Sequence, residues 1–295
     1  MSEEIKDIRV VPESECCGCA ACANACPVDA IRMKEGKEGF VFPKVDLNTC
    51  IQCGKCVKTC PVLEIDRPNR KEPDCRAAYG ADEIRKVSSS GAIFTLLADY
   101  VFQRGGVVYG VALNDEFEIE HRRITSMEEL SALRRSKYVQ SRVGLSYRQV
   151  KQDLKNGKTV LFSGTPCQNA GLRKYLGRTD TEKLILADIV CHGVPSQSVF
   201  NEYLKERFPK DDLKEFLFRT KDAGQNCWSV WLPGKTEAGR SAISTRMRLK
   251  KASTNLCFSG NPAPSAISRL RPARAISRSA ISGDWKNIIR ITKTP

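Results

Sequence analysis

From Ser88 to Phe218 the apolar positions follow two rhythms in turn, one helical and one strand-like. The run I-F-T-L-L-A-D-Y-V-F repeats its apolar residues at helical spacing and follows Ser88, Ser89 and Ser90, good N-cap residues. Gly105 and Gly106 close that helix, and V-V-Y-G-V-A-L then reads as a buried strand. Glu118 to Ile124 reads as a further strand, and S-x-x-E from Ser126 to Glu129 opens another helix as a capping box. The spacing predicts a helix over Leu145 to Asn156, closed by Gly157. T-V-L-F-S and Leu184 to Val190 read as buried strands, each followed by a helical pattern: N-A-G-L-R-K-Y-L, then Ser196 to Arg207. Leu213 to Phe218 reads as one more strand. Strands alternating with helices predict an α/β layer arrangement.

The flanks are patterned differently. Near the N-terminus, Asp7 to Val11, A-I-R-M-K and G-F-V-F-P read as short strands. Residues 64–78 form a charged, proline-bearing linker in which Cys75 reads as an incidental thiol. Beyond about Pro233 no period survives. The expected organisation is therefore a small α+β domain over 1–63, a linker over 64–78, an α/β domain over 79–233, and an irregular or disordered tail over 234–295.

The small domain is built on two cysteine runs of one pattern, C-x2-C-x2-C-x3-C-P. Cys16, Cys19, Cys22 and Cys26 precede Pro27, and Cys50, Cys53, Cys56 and Cys60 precede Pro61. Bacterial ferredoxins use this spacing for two [4Fe-4S] clusters, the fourth cysteine of each run ligating the other cluster. That assigns Cys16, Cys19, Cys22 and Cys60 to one cluster and Cys50, Cys53, Cys56 and Cys26 to the other. Cys17 is the spare thiol. A zinc site would want four thiolates in two pairs, and disulfides would suit a small secreted chain. No leader precedes these cysteines and no apolar run is long enough to span a bilayer, so the expected setting is cytoplasmic.

A net charge of +14 invites a nucleic-acid reading, but its distribution opposes one. From Arg240 to Pro295 twelve Lys and Arg face a single acid, Asp284, so the rest of the chain carries only +3.

Two strand ends carry reactive residues, where α/β folds collect ligands. Gly164, Thr165, Pro166, Cys167 and Gln168 sit between a strand and a helix, a setting that favours an anion and a lowered thiol pKa. Cys191 and His192 follow the next buried strand. Cys167 and Cys191 are open to three readings: cluster ligands, redox-active thiols or structural cysteines. His121, among strand-like charged residues, reads as part of a solvated face.

The motifs S-S-S-G-A-I-F, S-K-Y-V-Q-S, L-F-S-G-T-P-C-Q-N-A-G-L and D-I-V-C-H-G-V-P-S, in this order after the cysteine runs, resemble the coenzyme F420 hydrogenase/dehydrogenase beta-subunit family over roughly residues 14–220. The resemblance implies FAD alongside the two [4Fe-4S] clusters, with electrons passing between clusters and a deazaflavin or another small-molecule hydride acceptor. It makes Ser88, Ser89, Ser90, Gly91, Ser136, Lys137, Tyr138, Gly164, Thr165, Pro166 and Gln168 candidate flavin-pocket residues. It makes Cys167 and Cys191 candidate cluster or redox cysteines, and it implies a redox partner protein or companion subunit. Ala92 stands where the family usually has a second glycine. The family's R-P-x-C and D-I-T-x-G-D-F-W-G segments are missing from the tail. Codons for Arg274 to Pro295 can be chosen so that the frame two bases later reads R-D-I-T-L-G-D-F-W-G, which makes the tail an expected out-of-frame translation. The functions to weigh are an iron–sulfur flavoprotein oxidoreductase subunit, a non-catalytic ferredoxin carrier fused to a docking domain, an inactive truncated copy, and a thiol enzyme using Cys167 or Cys191.

Overall fold

The computed structural model describes residues 6–64, 77–191, 193–208, 213, 215–220, 227–231 and 290–292. Cys75, His192 and nearly all of the 65–76 and 232–295 stretches lie outside the described residues.

The N-terminal unit folds around its cysteines. A 3-10 turn at Ile8–Val10, where a strand was expected, is capped by Asp7, whose side chain accepts from the Arg9 N–H. Helix α1 (Ala21–Ala25), strands β1 (Ile31–Glu35) and β2 (Val41–Val45), and helix α2 (Lys55–Lys58) follow. β1 and β2 pair antiparallel from Ile31 opposite Val45 to Glu35 opposite Val41. Both helices start just after a residue with positive φ, Ala20 at 60° and Gly54 at 70°, which turns the chain sharply between ligand positions. The unit's small core joins Ile8, Val11, Ala30 and Ile31 to Cys22, Cys26, Cys56 and Cys60.

The second unit opens with β3 (Ala77–Tyr79) and α3 (Asp82–Lys86), then α4 (Ile93–Phe102). The serines do not cap α4. Its N-cap is Ala92, in the left-handed region at φ 67°, and Ser88 Oγ bonds instead to Thr95 Oγ1 at 3.1 Å. Then come β4 (Val107–Leu113), β5 (Ile119–Ile124), α5 (Leu130–Leu133), α6 (Ser146–Lys155), β6 (Val160–Gly164), α7 (Pro166–Leu176) and β7 (Leu184–Asp188). The expected Ser126–Glu129 capping box does not open α5: the helix starts after Glu129, whose Oε2 accepts from the Thr125 N–H and Oγ1 in the turn before it. The sheet order is β5-β4-β6-β7, with β4, β6 and β7 parallel and β5 antiparallel on the edge. One face packs Leu97, Ala98 and Val101 of α4 onto Val108, Leu161 and Ile185. The other packs Tyr147, Val150, Leu172 and Leu176 of α6 and α7 onto Tyr109, Val160 and Phe162. Burying apolar residues on both faces explains why these strands are continuous apolar runs.

α8 (Gln197–Arg207) is capped by Ser196, and with β8 (Glu215–Thr220) it builds a satellite core of Phe200, Leu204, Phe216 and Phe218. β9 (Cys227–Trp231) pairs with β8. In the tail, β10 (Arg290–Thr292) pairs antiparallel with β3.

The two units share a core. Cys19, Ala20 and Ala21 pack in the same cluster as Tyr147 and Leu172. A Cβ at Gly171 on α7 would lie 3.0 Å from Cys19 Sγ and 3.3 Å from Ala21 Cβ, so the helix approaches this closely because a glycine faces α1. Arg148 on α6 clamps the end of α1, donating to the carbonyls of Ala23, Asn24 and Cys26 and pairing with Asp29. Asn24, 2 % exposed, answers by donating to Gly144 O at 2.8 Å.

Candidate metal centres and the adjoining strand ends

Two small pockets lie in the N-terminal unit, and their walls follow the crossed cysteine pattern. The first is lined by Cys16, Cys19 and Cys22 together with Cys60, closed by Ile8, Val11, Met33 and Pro61. The second is lined by Cys50, Cys53 and Cys56 together with Cys26, with Pro27, Val28, Ile31 and Ile51 around them. The cause is local. Each proline follows the fourth cysteine and turns the chain away after the short helix, which leaves that cysteine facing the opposite run. Among the described residues no three His, Cys, Asp or Glu side chains converge closely enough to hold a single metal ion. The thiols are instead spread around a space, as the walls of a cubane site would be. Burial pushes Cys16 up to about 11 and also raises Cys22 and Cys56. Loading such thiols as thiolates releases protons, so cluster assembly is expected to be favoured by higher pH.

The first cavity adjoins the α/β unit. Cys17 lines it too, and its thiol is held well above its ordinary pKa beside Cys167, at the start of α7, and Cys19. Cys167 Sγ also lies 3.1 Å from Thr165 Oγ1. Its hydrogen bond with Cys17, and then burial, hold the Cys167 thiol well above its ordinary value. Burial likewise raises Cys191. The helix start therefore does not produce the lowered thiol pKa expected from its position.

The expected anion site at α7 is also closed from within. A capping box occupies the helix start: Thr165 accepts from the Gln168 N–H, and Gln168 Oε1 accepts from the Thr165 N–H at 2.9 Å. Gln168 Nε2 continues to Ser141 Oγ at 2.9 Å, and Ser141 faces His121 Nδ1 at 3.3 Å. His121 is not on a solvated face. It is 8 % exposed, stacked on Phe162 with ring centroids 5.1 Å apart, and its Nε2 has no hydrogen-bond partner among the described residues. Burial, slightly opposed by the Ser163 backbone, lowers its pKa to about 4. The sequence offered only the charged residues around it, and the β5 register that turns it inward was not legible from them.

His121 gives a pH prediction. Its folded pKa lies below its unfolded one, so the unfolded chain binds more protons between about pH 6.5 and 4. Its stabilising contribution is complete above pH 6.5 and is lost as pH falls toward 4, by on the order of 3 kcal/mol. Denaturant unfolding of wild type and His121→Phe across that window is expected to show a shallower slope for the variant. Parallel slopes would remove His121 as the cause.

The remaining candidates for a flavin pocket are largely engaged inside the chain. Ser88 bonds to Thr95, and Arg134 Nε reaches the same Thr95 Oγ1 at 3.3 Å. A Cβ at Gly91 would meet Ala78 O at 2.7 Å, so that glycine serves packing against β3. Lys137 Nζ donates to Ala132 O and Arg134 O, both at 2.7 Å, and burial, with Arg135 and Arg122 nearby, lowers it to about 7. Tyr138 packs on Phe218, and Ser136 lies in the loop between Arg135 and Lys137. Ser89 Oγ is the one side-chain group among the serines that is buried without a partner among the described residues. Thr165, Pro166 and Gln168 form the closed helix start, and Gly164 ends β6, paired with Asp188. These side chains do not form a ready cradle for FAD.

Comparison with known proteins gives two kinds of match. Residues 15–63 match a 4Fe-4S dicluster domain, and a second 4Fe-4S dicluster model matches residues 42–95. Residues 157–248 match the C-terminal domain of the coenzyme F420 hydrogenase/dehydrogenase beta subunit. A search of curated proteins gave no match. Among solved structures, the chain is similar to one in the F420-reducing [NiFe] hydrogenase complex from Methanosarcina barkeri, at 18 % identity and a TM-score of 0.43. That match covers 60 % of this chain and about 60 % of the other. Among the described residues no helix is long and apolar enough to cross a membrane.

Proposed function

We propose that this chain, which joins a 4Fe-4S dicluster domain to a domain of the coenzyme F420 hydrogenase/dehydrogenase beta-subunit family, is an electron-transfer subunit holding two [4Fe-4S] clusters. Cys16, Cys19, Cys22 and Cys60 hold one cluster, and Cys50, Cys53, Cys56 and Cys26 the other. The observation that carries this reading is the pair of cavities, each lined by three cysteines of one run and the fourth of the other. The clusters supply one-electron transfer at potentials that their surroundings tune. The chain's own part is to fix eight thiols, to exclude water with Ile8, Val11, Met33, Val28 and Ile31, and to seat the first cavity against α7. A companion subunit or redox protein supplies or removes the electrons.

The flavin and the hydride acceptor implied by the resemblance belong to this reading as its finer part. Ser89 Oγ is the group that favours a bound polar ligand near the Ser88–Gly91 turn, while the engaged side chains around it weigh against a preformed flavin site.

Anaerobic purification with iron, sulfide and released-flavin assays tests both levels. Two clusters' worth of iron and sulfide, with a broad visible absorbance that bleaches on reduction by dithionite, is the expected result. Iron without flavin would keep the electron-transfer subunit and remove the flavoprotein. Protein folded and free of iron after reconstitution would remove the reading as a whole.

A further inference from the structure

Gln140, in the S-K-Y-V-Q-S motif, sends its side chain out of the α/β unit to the Cys16–Cys19 loop, whose cysteines wall the first cavity. Gln140 Oε1 accepts from the Val41 N–H of β2 at 2.9 Å. An N–H can only donate, so that bond fixes which end of the amide is which, and Nε2 takes the other side. There it lies against Gly18, the residue between Cys17 and Cys19. A Cβ at Gly18 would stand 2.5 Å from Gln140 Nε2 and 2.8 Å from Val41 O. Gly18 also holds φ at 65°, in the left-handed region. The loop thus needs glycine at this point both for its turn and for the amide that closes on it. Gln140 is held from behind in its turn. Its N–H donates to Pro195 O at 3.0 Å, Val139 beside it is buried, and Arg142 pairs with both Glu35 of β1 and Glu118. Ser141 accepts from Gln168 Nε2 at the start of α7.

We infer that Gln140 is a positioning residue for the first cluster, holding the Cys16–Cys19 ligand loop and biasing that cluster's reduction with the positive end of an amide dipole. The inference rests on the dicluster reading. Reduction adds an electron, so N–H dipoles beside the ligand loop favour the reduced form and raise the potential, while negative charge placed there lowers it. Arg148 and Gly171 hold α1 on the far side of Cys19, and Gln140 acts on the segment before it. The second cavity differs, because its lining among the described residues comes from the N-terminal unit alone. The α/β unit therefore reaches the surroundings of one cluster and not the other, which gives two clusters with like ligands different potentials.

Full-length wild type, Gln140→Met and Gln140→Glu, purified anaerobically, are titrated at pH 8 with EPR following the reduced clusters and iron counted in each. In both variants half of the reducible signal is expected to move to lower potential while the other half stays. The pair separates tuning from a merely structural contact. Gln140→Met loses the Val41 bond and the dipole together. Gln140→Glu keeps an acceptor for the Val41 N–H and sets a carboxylate against Gly18. A structural role predicts the larger change in Gln140→Met. Tuning predicts it in Gln140→Glu, by about tenfold in the reduction equilibrium, or about 59 mV for one electron. If Gln140→Met sheds iron, the half-signal shift in Gln140→Glu still decides. Equal movement of both halves, an unmoved potential in iron-replete Gln140→Glu, a larger shift in Gln140→Met, or loss of half the iron from Gln140→Glu would each overturn the inference. Wild type without clusters would remove the dicluster reading and the inference with it, whereas an unmoved potential in an iron-replete variant removes the inference alone.

Discussion

Cys60→Ser is expected to strip iron from the cavity of the other cysteine run. Cys60 stands in the second run but lines the space walled by Cys16, Cys19 and Cys22, and Cys26 makes the reciprocal exchange. Removing either leaves three thiols at one site and four at the other. About half of the iron and sulfide should be lost in each variant. The clusters that remain should differ between Cys60→Ser and Cys26→Ser, because their surroundings differ: Met33 and Val11 wall one cavity, Gln52 and Lys6 the other. Low-temperature EPR of the reduced variants, with iron counts, reads both effects. Loss of the variant's own run, with the other run's cluster kept, would sink the crossed assignment. The stability effect should also be large, since the cysteines form much of this unit's small core and metal binding is folding free energy where no site exists unfolded.

Arg148→Met is expected to loosen the junction between the units at a cost of about 2–3 kcal/mol, the range for hydrogen bonds from a charged donor. One guanidinium reaches Asn24 O and Cys26 O at 2.8 Å, Ala23 O at 3.2 Å and Asp29 Oδ1 at 2.6 Å. Those carbonyls end a five-residue helix, so few other donors serve them. The Arg side chain is 31 % exposed, and solvent screening weakens the Asp29 pair, which is why the carbonyl bonds dominate the expected loss. Arg148→Lys should recover little, because an ammonium on a flexible stem cannot reproduce the planar fork that spans three acceptors. Denaturant unfolding gives the stability change, and hydrogen exchange over Ala21–Cys26 locates it. A change below about 0.5 kcal/mol would place Arg148 among ordinary surface residues.

The legible parts of this chain are those in which spacing alone dictates structure. The doubled cysteine run, the strands at Val107–Leu113 and Val160–Gly164 and the helices at Ile93–Phe102 and Pro166–Leu176 are periodic enough to be read without tertiary information. The misreadings have physical causes. Asp7 and Arg9 bond to each other through both side chain and backbone, and that local pairing winds Ile8–Val10 into a turn in place of a strand. Ser88–Ser90 read as a helix cap, yet Ala92 in the left-handed region takes that position and Ser88 looks back at Thr95. Ile189 and Val190 continue an apolar run but leave the sheet after Asp188, and Val190 is 81 % exposed. At Cys167 the sequence showed a helix start and nothing of Cys17, which comes from 150 residues away in the chain. That contact reverses the expected direction of the thiol's pKa.

The uneven settings of the two cysteine cavities give the small unit a direction. One cavity is sealed against α7, with Cys19 and Cys22 buried and Gly171 pressed to its wall. The other ends in Cys53, which is exposed, beside Ile51 at 61 % exposure. The exposed Cys53 rim is therefore the wall of the two cavities that another molecule can approach most directly.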